Sequence, residues 1–213
     1  MRSKFEEQLY MLNQKLIQMG QAIERNIRDA INALVNGNVE KANQIIVADD
    51  DIDKMQREIE NICVGLLIQQ QPVAKDLRLI TAAMKMVTDM ERIGDHAVDI
   101  SEMTEFLSEH EMNDRFNTLK KMASEATVML IKSIDAFTEK NAEIAKSVIE
   151  YDDVVDALFV NVKEELITLV LENPDEGEAS LDILMIAKYL ERIGDHATNI
   201  AEWVLYSLDD KRE

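Results

Sequence analysis

The sequence has few of the residues that break helices, cross-link chains or stack on nucleic acid. It contains 2 Pro, 6 Gly and 1 Cys in 213 residues, and aromatic residues make up 5%. The single Cys63 excludes an internal disulfide, and its position in an apolar run is typical of a small core residue in a reducing compartment. Because Leu, Ile, Ala, Met, Glu and Lys are plentiful while Pro and Gly are scarce, the composition predicts a mainly helical protein.

Positive charge is also scarce. The 23 Lys and Arg face 42 Asp and Glu, which gives a formal net charge of −19. Such a field repels nucleic-acid phosphates and anionic lipid surfaces, so the sequence argues against nucleic-acid binding. No apolar run approaches the ~20 residues that span a bilayer, and the N-terminus has no signal-peptide core. We therefore expect a cytoplasmic protein without direct membrane insertion.

Apolar residues recur at three- and four-residue spacing from Ser3 to about Val35, which predicts a long amphipathic helix. Gly37 suits the left-handed position after that helix, and Asn38 can cap the next one. The same reasoning places a third helix from Pro72, since proline suits the first turn. We expect an all-α fold of six long antiparallel helices, at about 3–35, 38–70, 72–108, 113–139, 142–172 and 179–209.

The chain is internally duplicated. The heptapeptide Glu-Arg-Ile-Gly-Asp-His-Ala occupies Glu91–Ala97 and returns unchanged at Glu191–Ala197, an offset of 100. An Asp pair on the preceding helix also repeats, at positions 49 and 53 and again at 152 and 156. Three helices per copy with short connections predict two tandem three-helix bundles, residues 1–109 and 110–213.

Each copy carries acids on a helix face that is otherwise apolar. On a helical wheel, Leu77, Ile80, Met84 and Val87 form a stripe that becomes acidic at Glu91 and continues toward the end of the helix. The Asp pair on the second helix forms a matching face. The wheel turns His96 and His196 away from these acids, so we expect the histidines at solvent or a partner surface. The candidate metal ligands are Glu91, Asp95, Asp99, Asp49 and Asp53 in the first copy, and Glu191, Asp195, Asn199, Asp152 and Asp156 in the second.

Acids that converge in this way repel one another and raise their pKa values unless a cation lies between them. Oxygen ligands without Cys or inward-facing His favour Mg²⁺, Mn²⁺, Ca²⁺ or iron over structural zinc. The expected cofactor is a divalent or trivalent ion, with iron, manganese, magnesium and zinc as candidates. A solvated acidic helix face is the alternative interpretation. Gly94 and Gly194 favour the site, because mid-helix Gly costs about 1 kcal/mol relative to Ala and indicates close approach of a backbone or ion.

The duplicated Glu-Arg-Ile-Gly-Asp motif, together with Gln71–Arg78 (Gln-Pro-Val-Ala-Lys-Asp-Leu-Arg), resembles the PhoU family over essentially the whole chain. The resemblance implies two three-helix PhoU repeats with metal at the acidic motifs, and a negative regulator of phosphate uptake and phosphate-starvation signalling. It implies a non-enzymatic adaptor between the ATPase subunit of a phosphate ABC transporter and a sensor histidine kinase. It also implies a homodimer that its partners recruit to the inner face of the membrane. The second copy departs from the family pattern at Asn199 and lacks a counterpart of Gln71–Arg78.

Two other functions stay open from the residues alone. A di-metal carboxylate enzyme would fit a helical bundle, although the Glu-x-x-His spacing of ferritin-like sites is absent because His96 follows Glu91 by five residues. No Ser-His-Asp set or Gly-rich phosphate loop is apparent either. A purely structural dimerisation module is the third possibility, since long amphipathic helices often only assemble.

Overall fold

The structure, a computed structural model, describes residues 2–70, 72–108 and 117–209. Within those ranges the chain forms six α-helices and no strand, which confirms the predicted fold class of two tandem three-helix bundles. A short 3-10 turn, Pro174–Glu176, precedes the last helix. The helices are α1 Arg2–Val35, α2 Val39–Gln70, α3 Ala74–Leu107, α4 Asn117–Thr138, α5 Ala142–Glu172 and α6 Gly177–Leu208.

The predicted start of the fourth helix at 113 and the predicted boundary between residues 109 and 110 lie outside the described residues. Two other helix starts differ from prediction by two residues. Pro72 precedes α3 rather than lying in its first turn, because the helix begins at Ala74 and the Leu77 amide donates to the Val73 carbonyl. The last helix begins at Gly177, earlier than the predicted residue 179, because the 3-10 turn leads directly into it.

Both α1 and α4 end in the same type of turn. Gly37 has φ +60°, and Asn38 N–H donates to the Ala33 carbonyl over 2.8 Å, as the sequence predicts for a glycine helix end. In the second copy Lys140 takes the left-handed conformation, with φ +55°. Asn141 then caps α5 by accepting from two backbone amides, at 3.0 and 3.2 Å. In the second turn a lysine therefore has the left-handed backbone conformation that a glycine has in the first.

The two bundles share one hydrophobic core. Cys63, Met86 and Met90 are fully buried in it, and the burial of Cys63 agrees with the prediction of a small core thiol. The most extensive contact in the described chain joins α3 to α6, and α1 also packs on α4. At the α1–α4 contact Gly20 lies against Ile134, where a side chain on residue 20 would collide. Close helix packing therefore joins the repeats directly.

The helices α3 and α6 cross in opposite directions. On α3, Asp89 precedes His96. Their partners on α6 occur in the reverse order, because Asp89 contacts His196 and His96 stacks on Tyr189. The two heptapeptides consequently meet near the middle of the molecule, related by an approximate two-fold axis. Within the part of the chain that the structure describes, no helix has the length and hydropathy needed to cross a membrane.

Candidate functional site

Each heptapeptide glycine allows the preceding helix to approach closely. A Cβ built on Gly94 would lie 3.1 Å from Ile52 Cγ2 and 3.9 Å from Asp49 Oδ1, both on α2. A Cβ on Gly194 would lie 3.3 Å from Asp152 Oδ1 and 3.4 Å from Val155 Cγ1 on α5. Since real side chains rarely tolerate the shortest of these separations, the two glycines bring an Asp of the preceding helix beside each acidic motif.

In the first repeat the acids of α2 and α3 interact electrostatically. Burial raises the pKa of Asp49, and the negative charges of Asp95, Asp53 and Asp50 raise it further. Burial likewise raises the pKa of Glu91, followed by repulsion from Asp95, which Arg92 opposes, and by repulsion from Asp53 and Asp49. The structure therefore brings four predicted ligands into one cluster, which we call the first acidic cluster: Asp49, Asp53, Glu91 and Asp95.

Two arginines border the first acidic cluster. Arg57 pairs with Asp53 at 2.9 Å, and Arg92 pairs with Asp95 at 3.0 Å and approaches Glu91 at 3.6 Å. The arginine side chains are 68% and 57% exposed, and such exposed pairs contribute only about 0–1 kcal/mol. The pKa values of Asp49 and Glu91 are raised despite these arginines, so the cluster keeps an excess of negative charge.

In the second repeat Asp152 interacts electrostatically with Asp156 and Asp195, and together with Glu191, which precedes Asp195 by four residues on α6, we call these residues the second acidic cluster. Burial raises the pKa of Asp152, and the charges of Asp156 and Asp195 raise it further. In this cluster Lys188 forms an ion pair with Glu191 and lies 5.6 Å from the centroid of the Phe159 ring. The position equivalent to Lys188 in the first repeat is Thr88, which has no charge. Lys188 is thus a counter-charge without an equivalent in the first repeat, whereas Arg57, at the first cluster, corresponds to the uncharged Val160.

The third predicted ligand of each repeat is engaged elsewhere. Asp99 is 2.9 Å from His96 Nδ1, and Asn199 donates from its amide to Asp89 at 3.3 Å. Asp89 also lies 2.9 Å from His196 Nδ1. We call the contact between α3 and α6 the seam. Asn199 bridges it directly, and Asp99 holds His96, which stacks on Tyr189 across it.

The expectation for His96 was wrong. His96 is only 8% exposed, because the face of α3 that the wheel assigned to solvent or a partner surface packs on α6 of the same chain. There His96 stacks on Tyr189, with ring centroids 5.6 Å apart. Burial lowers the pKa of His96, and the hydrogen bond to Asp99 partly opposes that effect. His196 lies on the same seam, with its ring centroid 5.9 Å from that of His96.

The donor chemistry of the two clusters fits a hard cation. Each offers carboxylate oxygens from two helices, and burial, followed by repulsion from nearby acids, raises the pKa of Asp49 in the first cluster and of Asp152 in the second. Among the described residues, however, no three His, Cys, Asp or Glu side chains are already positioned around a common point. Occupation by an ion therefore requires side-chain rotation within a cluster, and the ten predicted ligands stay a prediction.

Sequence reasoning missed two residues at these sites. Lys188 precedes Glu191 by three residues, a spacing that places both on one helix face and could have been recognised. Asp89 could not have been found in the same way, because its partners His196 and Asn199 are more than a hundred residues away and depend on how the repeats pack.

The geometry defines a class of protein: a duplicated three-helix bundle with one acidic cluster in each repeat. Comparison with known proteins gives the family. A family profile described as PhoU domain matches residues 16–104 and again 119–204. The chain belongs to the PhoU family.

Similar proteins cover nearly the whole chain. A phosphate-specific transport system accessory protein PhoU homolog of Clostridium acetobutylicum is 39% identical over 212 residues, which are 99% of this chain and 97% of that protein. One of Pseudomonas aeruginosa is 37% identical over 204 residues, covering 95% of this chain and 84% of that protein.

Two crystal structures show the same fold. PhoU from P. aeruginosa superposes with a TM-score of 0.88 at 37% identity, covering 96% of this chain and 98% of that one. The phosphate transport system regulatory protein PhoU from Streptococcus pneumoniae gives 0.85 at 29% identity, with 95% and 96% covered.

Proposed function

We propose that this protein regulates phosphate uptake and phosphate-starvation signalling as a non-enzymatic adaptor. Its proposed partners are the ATPase subunit of a phosphate ABC transporter and a sensor histidine kinase, with the protein acting as a cytoplasmic homodimer that restrains both. The observation that carries the proposal is the near full-length similarity to proteins named as phosphate-specific transport system accessory proteins. The similarity includes both repeats rather than one shared segment.

The acidic clusters are the proposed metal sites of this adaptor. Asp49, Asp53, Glu91 and Asp95 would hold ions in the first repeat, with Asp99 beside them. Asp152, Asp156, Glu191 and Asp195 are their counterparts, with Asn199 beside them. A bound cation would offset the burial and the mutual repulsion that raise the pKa values of Asp49, Glu91 and Asp152. A cation shared by two helices would also hold α2 against α3, or α5 against α6, and would thereby fix the surface that partners meet.

Elemental analysis tests the metal part. Protein purified without a His tag should retain ions after dialysis, and a variant carrying Asp49→Asn, Glu91→Gln and Asp95→Asn should retain fewer. A matched variant should carry the same number of neutralised acids outside the clusters, at Asp50, Asp51 and Glu58, and it should retain as many as wild type. Equal metal content in all three proteins would remove the proposed sites.

A gene deletion tests the regulatory part. A strain without this protein should express a phosphate-starvation reporter in phosphate-rich medium, and the wild-type gene should restore repression. Affinity capture from the same strain should recover the transporter ATPase and the sensor kinase. A reporter that responds normally to phosphate in the deletion strain would contradict the proposed function.

A further inference from the structure

An open groove lies between α1 and α4, the two helices that contribute no residue to either acidic cluster. Its volume is about 360 Å³, and residues of the segments 24–32 and 120–128 line it. At a rise of about 1.5 Å per residue, each helix follows the groove for about 12 Å. Ile27, Ile31 and Ala123 are buried and form an apolar floor.

The groove is present in one half of the α1–α4 contact and closed in the other. The turns that end the two helices make equivalent hydrogen bonds at an offset of 103, so Gly20 corresponds to Ala123 and Ile31 corresponds to Ile134. In the closed half Ile134 packs directly on Gly20, which has no Cβ. In the other half Ile31 meets Ala123, whose Cβ prevents an equally close approach. The helices therefore leave a space there.

Two cations line this space. Arg28 and Lys120 stand on opposite helices, and among the described residues that line the groove Glu24 is the one acid. The neighbouring Asp29 pairs with Lys41 at 3.0 Å and is 4.0 Å from Arg28 Nε. The Arg28 side chain is 57% exposed, so its guanidinium can contact a bound group.

The outer edges of the groove are polar or basic on both helices. Asn32 and Ser124 are exposed lining residues that can donate hydrogen bonds. Arg25 and Lys121 are also exposed, and each lies on its helix about 60° outward from a lining residue, Arg28 and Ser124 respectively. The lining cations are therefore continued on the surface beside the groove.

The charge of α1 and α4 differs from that of the other helices. α1 has five Lys and Arg against four Asp and Glu, and α4 has three against two. The other four helices together have 11 basic and 27 acidic residues. An acidic partner is thus repelled by most of the chain and attracted to the groove, which makes charge complementarity the property that selects its occupant.

We propose that the groove binds an acidic amphipathic helix of a partner protein, with carboxylates at Arg28 and Lys120. The floor is about as long as an i, i+3, i+7 series of apolar residues, which spans about 10 Å. Val128, 37% exposed at the edge of the floor, offers a further apolar contact.

Other occupants match the groove less well. A second copy in a two-fold dimer would place this face, with its cations, against itself. A membrane surface is broad, whereas the floor is recessed between two helices. The inference rests on the adaptor role proposed above and names the chemistry of a segment that the adaptor recognises.

Binding of designed peptides tests the groove. The probe is a fluorescent Leu/Glu peptide of about four helical turns with Leu on one face, and the matched probe has the same Leu face with Gln replacing Glu. Because the protein has a net charge of −19, non-specific electrostatics favours the neutral peptide. Docking at the groove instead predicts at least about tenfold tighter binding of the acidic peptide, with affinity falling as salt rises. Methyl NMR signals of Ile27, Ile31 and Val128 should shift on binding.

Reversal of the two lining cations should abolish the preference. Arg28→Glu with Lys120→Glu should weaken the acidic peptide at least about tenfold. Lys54→Glu with Lys146→Glu makes the same change in net charge at exposed positions of α2 and α5, and it should leave affinity within about threefold. If the charge-reversed protein loses helical circular dichroism, Ser124→Trp blocks the groove without a change of charge and should weaken the acidic peptide by a similar factor.

The outcomes separate the groove from the regulatory role. Equal affinity of the acidic peptide for wild-type and charge-reversed protein would overturn the docking proposal and leave the phosphate role untouched. Wild-type protein that binds phosphatidylglycerol vesicles and not the peptide would identify a membrane as the occupant and overturn the proposed partner. A wild-type dimer and a charge-reversed monomer in light scattering would overturn it in favour of a second copy. Loss of peptide binding in the charge-reversed protein with normal repression of the reporter would support the groove and separate it from phosphate signalling.

Discussion

Neutralising Asp49 should stabilise the metal-free protein, although it deletes a charged residue that is predicted to have a function. The Asp49 carboxylate lies partly buried beside Gly94, and Asp95 and Asp53 repel it. Like-charged neighbours destabilise by about 0.3–0.5 kcal/mol each at partly exposed positions. Removing two such repulsions predicts that Asp49→Asn raises the unfolding free energy by about 0.5–1 kcal/mol in EDTA. For a chain of this size that corresponds to a Tm rise of about 1–4 °C.

Asp50→Asn is the matched control. It changes the net charge by the same amount, one residue away on α2. Asp50 is exposed, and of the three acids that raise the pKa of Asp49 it has the smallest effect. We expect its unfolding free energy to stay within about 0.5 kcal/mol of wild type. Urea unfolding followed by circular dichroism at constant ionic strength measures all three proteins. If Asp49→Asn is no more stable than Asp50→Asn, the carboxylates do not strain the folded state and the argument for a missing counter-charge fails.

The same prediction has a pH dependence with a defined sign. Because the pKa values of Asp49 and Glu91 are raised in the folded state, the folded protein binds more protons than the unfolded chain in mildly acidic solution. Their contribution to the unfolding free energy in EDTA is therefore fully present below the unfolded pKa values of 3.8 for Asp49 and 4.5 for Glu91, and it is lost as pH rises through the higher folded pKa values. Asp49→Asn should show a smaller gain as pH falls. Added Mn²⁺ should stabilise wild type more than Asp49→Asn, because mass action stabilises only the form that binds.

Three further predictions concern other parts of the chain. Burial raises the pKa of the Cys63 thiol to about 12, so thiol reagents at neutral pH should label it only after unfolding, and rapid labelling of native protein would contradict its burial. Lys140→Gly should raise the urea unfolding free energy by about 1 kcal/mol, since glycine adopts the left-handed conformation at +55° without strain, and no gain would show that the turn relaxes. Lys188→Thr introduces the residue that the first repeat has at Thr88 and frees Glu191, so calorimetric titration with Mn²⁺ should show tighter binding at the second cluster. Unchanged affinity would mean that the lysine does not compete with the ion.

The sequence predicted the helices well because their ends are encoded locally. Gly37 and Asn38 specify the first turn through backbone conformation and capping, and the structure contains both features. Lys140 shows the limit of that reasoning, because nothing in a lysine predicts a left-handed residue. The turn there is imposed by Asn141, which caps α5, and by the return of the chain onto α4.

The sequence also predicted which acids lie close together within each repeat. It did not predict which neighbouring residues contact the other repeat instead. Within a repeat, the wheel relates Glu91 and Asp95 correctly to the Asp pair of α2, because consecutive helices joined by a short turn must be neighbours. The wheel gives only an angle for His96 and does not show which helix will cover it. Since α6 covers that face, His96 is buried and Asp99 turns to it. The partners of Asp99 and Asn199 therefore depend on the contact between repeats, which the wheel does not include, and their role as ligands stays a prediction.

An approximate two-fold axis passes between His96 and His196, which are equivalent positions of the two repeats and lie beside each other. Other residues of the seam contact a non-equivalent position of the other repeat. In a symmetric pair of identical repeats, a substitution at Asp89 would recur at the equivalent position and change the seam twice. In the fused chain the two positions have diverged to Asp89 and Tyr189, so one histidine faces a carboxylate and the other an aromatic ring. Because both repeats lie in one chain, each identical heptapeptide has its own surroundings, and a substitution in one repeat does not entail the same substitution in the other.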